Sequence, residues 1–106
     1  MKKKTMTTTH KSDKVKYRYE IHKAENVRII RMSTDDGFDG SGECEIVIAK
    51  HDWYYLAFPD MGTASPAFAD LSSYERVSDL VHDAGFYHPD TEAITLAILE
   101  VAKSGF

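Results

Sequence analysis

The sequence predicts an α+β fold: a four-stranded antiparallel β-meander followed by two α-helices packed on one face, a two-layer ββββαα sandwich. Three observations predict it. Apolar residues alternate with polar ones from Val15 to His22 and from Glu43 to Lys50, the period of half-buried strands, and Val27 to Met32 and Trp53 to Phe58 are rich in β-branched or aromatic residues. Beyond Ser72 the apolar spacing changes to three and four residues, the period of helices. The connections between strands are short, and a run of strands followed by a run of helices specifies α+β rather than a parallel sheet.

The first stretch sets Val15, Tyr17, Tyr19 and Ile21 against Lys16, Arg18, Glu20 and His22. A polar turn at Lys23 to Asn26 leads into Val27 to Met32, rich in β-branched residues, and so close a spacing predicts an antiparallel hairpin. Asp35 to Gly42 holds three glycines and three aspartates and reads as a loop. Glu43 to Lys50 alternates again, with Cys44, Ile46 and Ile48 on one face. Trp53 to Phe58 is an aromatic-rich strand stopped by Pro59, and Pro59 to Ala69 reads as a loop. Ser72 and Glu75 match a capping box. Tyr74, Val77, Leu80, Val81 and Ala84 then form one stripe, closed by Gly85. Pro89, Asp90 and Glu92 suit the start of a second helix, Thr91 to Lys103.

The chain has 106 residues and 42% hydrophobic content, the size and composition of one globular domain. Residues 1–13 are Lys- and Thr-rich and are expected to form a disordered basic arm. Residues 14–106 are expected to form a single α+β domain. The net charge of −4 divides unevenly: residues 1–18 sum to +6 and residues 19–106 to −10. A basic arm therefore precedes an acidic body. The single cysteine excludes an internal disulfide, and no apolar segment follows the N-terminal lysines or approaches membrane-spanning length. A cytoplasmic protein without membrane association is the expectation.

No motif carries specific chemistry. Counted from Asp35, the glycine-aspartate loop places Asp39, Gly40 and Glu43 where a calcium loop would. Gly37 stands at position three, however, and Ile46 replaces the bidentate glutamate. His10, His22, His51, His82 and His88 form no zinc-type pair. Serines 65, 72, 73 and 78 lack a nucleophile-elbow frame. Cys44 falls on a core face, where a thiol is a small hydrophobe. No cofactor, metal or catalytic residue is expected. The Trp53-Tyr54-Tyr55 run invites comparison with base-stacking platforms, but those need basic surroundings and this body is acidic, so specific nucleic-acid binding is not expected.

The expectation is a non-enzymatic, acidic protein-interaction module. By fold-level analogy alone, small phage-encoded inhibitors of host defence or nucleic-acid enzymes are built this way. Its partner would be another protein with a basic surface, or a second copy in a homodimer. The expected contact residues are Asp35, Asp36, Asp39, Glu43 and Glu45 in and beside the acidic loop. Leu96 and Leu99 join them, two leucines on the helical face opposite Ala93, Ile94, Ala97, Ile98, Val101 and Ala102. The alternative is a small enzyme or ligand-binding domain with a pocket between the sheet and residues 59–69.

Overall fold

The computed structural model describes residues 2–9, 16–34, 43–87 and 90–104. One antiparallel sheet is followed by two helices, an α+β fold. The strands are β1 (Lys2–Thr9), β2 (Lys16–Ala24), β3 (Val27–Thr34), β4 (Glu43–Lys50), β5 (Tyr54–Phe58) and β6 (Thr63–Pro66). They lie side by side in chain order, as a meander should. The helices are α1 (Tyr74–Asp83) and α2 (Asp90–Ser104).

The sheet has two strands more than the sequence predicted. Composition predicted a disordered arm, yet the backbone of Lys2–Thr9 runs antiparallel to β2, with Thr5 opposite Glu20. Thr-rich segments suit a pleated ladder, and a ready-made edge on β2 supplies the hydrogen bonds that composition alone does not reveal. Residues 1 and 10–13 of that arm lie outside the described residues. The second addition, β6, falls in the segment read as a loop. Pro59–Met61 forms one 3₁₀ turn, Gly62 takes a left-handed conformation with φ 67°, and the chain doubles back along β5. A glycine bears that φ without steric cost.

Other differences are local. The β2–β3 hairpin closes through Glu25 and Asn26 alone, since Ala24 already pairs with Val27. Trp53 lies before β5 instead of opening it. The N-cap of α1 is Ser73, whose Oγ accepts the Arg76 amide at 3.4 Å; Ser72 Oγ donates to Asp70 instead. At the far end the cap is Ala84, and Gly85 follows with φ 118°. The acidic loop at Asp35 to Gly42 and Pro89 lie outside the described residues.

One face of the sheet builds the core. Tyr17, Tyr19 and Ile21 of β2, Ile30 and Met32 of β3, and Cys44, Ile46 and Ile48 of β4 are buried. Tyr54, Leu56 and Phe58 of β5 continue the same face, and Val77, Val81, Ala93, Ile94, Ala97, Ile98 and Val101 of the helices close over it. Two contacts fix how α2 sits. Fully buried Tyr17 donates its hydroxyl to Asp90 at 2.5 Å, tying the start of β2 to the first turn of α2. Phe58 and Phe86 meet edge to face at 5.5 Å, tying the end of β5 to the segment before α2. Buried Thr95 returns its hydroxyl to the Thr91 carbonyl, so a polar residue occupies the core face of α2 without an unpaired donor.

Candidate functional site

The helices cover one face of the sheet, so the site question concerns the other. Alternation and register together place its side chains in rows. Glu20, Arg31 and Glu45 lie side by side across β2, β3 and β4; Arg18, Ser33 and Glu43 form the next row. Beyond them Asp60 arrives from the 3₁₀ turn. Pro59 has no N–H with which to extend the β4–β5 ladder. The turn that follows it brings the Asp60 carboxylate to the Glu45 amide, at 2.9 Å. These residues line a hollow of about 690 Å³. Its charged lining is two guanidinium groups, from Arg18 and Arg31, and four carboxylates, from Glu20, Glu43, Glu45 and Asp60. Arg31 Nε donates to Glu45 Oε2 at 3.4 Å, and Glu20 faces His22 at the same distance. The first pair is solvent-exposed and the second half-buried; an exposed pair of this kind orders the rows more than it stabilises the fold.

The other half of this face differs. Ile29, Val47, Ala57 and Ala64 form one cross-strand row, and Val27, Ala49, Tyr55 and Pro66 the next. An open antiparallel face ordinarily carries polar residues; here two adjacent rows are apolar. Tyr55 is 44% exposed and Trp53, just before β5, 53%. The His51 ring stands edge-on to Tyr55 at 6.3 Å. The open face is therefore half charged hollow and half apolar shelf.

Of the contact residues expected from sequence, Glu43 and Glu45 line the hollow. Asp35, Asp36 and Asp39 lie outside the described residues. The two leucines separate. Leu96 is 42% exposed on the outer face of α2, whereas Leu99 is partly buried against the core. Leu99 lines a smaller hollow of about 370 Å³ with Tyr54, Leu71 and Lys103. Of the segment 59–69, beside which a pocket was expected, Asp60 lines the larger hollow.

Sequence reading missed the apolar shelf. The signal was present in the Ile29-Ile30 and Ile46-Val47-Ile48-Ala49 runs. Strict alternation makes every second residue of such runs an apolar side chain on the solvent face. Among the described residues no group of His, Cys, Asp and Glu side chains is arranged to hold a metal ion, and no helix is long and apolar enough to cross a membrane. Comparison with known proteins finds no matching family model, no matching curated protein and no matching solved structure.

Proposed function

We propose that this chain is a non-enzymatic protein-interaction module whose partner docks on the open face of the sheet. One observation carries the reading: an apolar shelf abuts a charged hollow on a face that the protein's own helices do not cover. An apolar patch beside a polar, charged border is the anatomy of a protein interface, in which the desolvated aromatic and aliphatic part holds and the charged part orients. Four carboxylates against two guanidiniums give the hollow an acidic excess, which suits a partner with a basic surface. An inhibitor that occupies the basic groove of a host defence or nucleic-acid enzyme, the phage-type role, is the specific form of this reading that the charge favours.

The test uses the full chain, tagged, in a lysate of its native host. The wild type should retain a discrete partner that Tyr55→Glu loses and Leu96→Glu keeps, with both variants melting within a few degrees of the wild type. Association with the isolated partner should slow as salt rises, because screening acts over about 8 Å at physiological ionic strength. Equal retention by both variants would remove the open face from consideration.

A second reading, a small enzyme or ligand-binding domain, is favoured by the size of the hollow. About 690 Å³ lies within the range of small-molecule sites, roughly 300–1,000 Å³. A small charged ligand that raises the melting temperature of the wild type but not of Arg31→Ala would support this reading over the first.

A further inference from the structure

The smaller hollow lies between the two layers, on the side of the sheet that the helices cover. Its walls come from three places. Tyr54 opens β5 on the core face and is buried. The 67–73 segment runs beside it: the Ala67 amide donates to the Tyr54 carbonyl at 2.7 Å, and the Tyr54 amide to the Phe68 carbonyl at 3.2 Å. These bonds hold the chain along β5 until Leu71 enters the core, where it is fully buried. The third wall is the last part of α2. Leu99, Ala102 and Lys103 stand three and four residues apart, which sets them on one helical face, and all three line the hollow of about 370 Å³. The small Ala102 side chain leaves room that a larger residue in its place would occupy.

The lining is graded from inside to outside. Its inner surface is apolar, from Leu71, Leu99, Ala102 and the Tyr54 ring. Its rim is polar, with Asp70, Ser72 and Lys103 exposed to solvent. Ser72 Oγ donates to Asp70 Oδ2 at 2.8 Å, so this carboxylate already accepts a hydrogen bond within the rim. A second ammonium is close by: Lys50 Nζ lies 5.0 Å from the centre of the Tyr54 ring. Two lysines against one carboxylate give this rim a positive excess. That is opposite in sign to the hollow on the open face.

We propose that this hollow binds a small monocarboxylate with an apolar tail. The tail lies against Leu71, Leu99, Ala102 and the Tyr54 ring, and the carboxylate meets Lys103 at the rim. Apolar walls with a few placed polar groups make a small-molecule site, and about 370 Å³ falls within the range of such sites, roughly 300–1,000 Å³. Removing the tail from water supplies the drive, and the charge at the rim selects the head group. A lysine suits this position because its methylene stem can line an apolar wall while its ammonium stays in water. Fatty acids and apolar amino acids share this chemistry. They differ in the amino group, which an amino acid would turn toward Asp70. The site lies on the covered side of the sheet, so it stands independently of the open-face reading.

The experiment is calorimetric titration of the full chain with octanoate, octylamine and 2-aminooctanoate, each below its micelle-forming concentration. The wild type should bind octanoate and take octylamine roughly tenfold more weakly or worse, because the head group is chosen by sign. Lys103→Glu should reverse that order. Ala102→Trp should lose octanoate while melting within a few degrees of the wild type; should it fail to fold, Lys103→Glu, at an exposed position, carries the test by itself. Tyr55→Glu, on the open face, should bind octanoate as the wild type does. 2-Aminooctanoate bound more tightly than octanoate would identify an amino acid as the source of the carboxylate, and weaker binding a fatty acid; either supports the site. No octanoate binding at millimolar concentration, octylamine bound as well as octanoate, or an octanoate affinity unchanged in Lys103→Glu would overturn the proposal. None of these readouts involves the docking partner, so failure here leaves the open-face reading to its own test.

Discussion

The two faces of the sheet come from alternate residues of the same strands, yet they obey different rules. On β4, Ile46 is fully buried beneath the helices while its neighbour Val47 looks out on the open face and is only half covered. Both are β-branched, both sit in the strand centre, and their backbone hydrogen bonds belong to one ladder. What separates them is what lies above: a closed layer of helix side chains in one case, none of the protein's helices in the other. Stability should therefore concentrate on one face and recognition on the other. The contrast teaches that apolar character in a strand does not by itself mark the core.

The sharpest break of this comparison is a pair of adjacent truncations. Ile46→Ala removes buried methylenes and leaves a cavity, so chemical denaturation should show a loss of about 2–5 kcal/mol. Val47→Ala should cost less than about 1 kcal/mol, because the site can be filled by water. Its effect should appear in partner affinity instead. Equal losses of stability would mean that the open face is covered in solution.

A smaller loss is expected at the link between the layers. Tyr17→Phe removes the hydroxyl that meets Asp90 and should cost about 1–3 kcal/mol, the range for a hydrogen bond to a charged or desolvated group. The fold should survive, since the ring still fills its place beside the start of α2. Urea denaturation of this single variant reads the cost directly.

Alkaline pH should act on the covered face as well. Burial, with the nearby Glu100 carboxylate adding to it, raises the Tyr19 hydroxyl above its ordinary value of 10.0. The neutral form is the one the fold prefers. Its contribution is present below the ordinary pKa and is lost as pH rises through the raised one. Tyr74 is raised in the same direction, by burial and then by Glu92. The melting temperature should therefore fall as pH climbs above about 10, and Tyr19→Phe should flatten that decline. An unchanged slope in Tyr19→Phe would assign the decline elsewhere.

The smallest effect belongs to the charged rows. Arg31 and Glu45 meet at 3.4 Å with the arginine well exposed, and such a pair is worth roughly 0–1 kcal/mol. Arg31→Ala should leave the denaturation midpoint nearly unmoved. A large loss would show the hollow to be part of the structural scaffold.

The sequence by itself determined the class, the meander order of its four central strands, both helices and the core faces of β2, β4 and the helices. Those follow from period two and period 3.6, which are local properties of the chain. Tyr17 and Ile46 could be assigned to one face of their strands by alternation, and Val77 and Ile98 to one stripe of their helices by the 3.6-residue period. Only the tertiary structure decided the edges and the site. The extra strands β1 and β6 depend on hydrogen-bond partners supplied by β2 and β5, which no local pattern in KKKTMTTT or TASP expresses. The parting of Leu96 from Leu99 depends on where the 67–73 segment lies against α2, and the Asp60 contribution to the hollow depends on a 3₁₀ turn after a proline. The apolar shelf lay between the two: its residues were visible as unbroken apolar runs. That most of them stay only half covered follows from the placement of both helices on the opposite face, a choice fixed by long-range packing and by no residue within the strands.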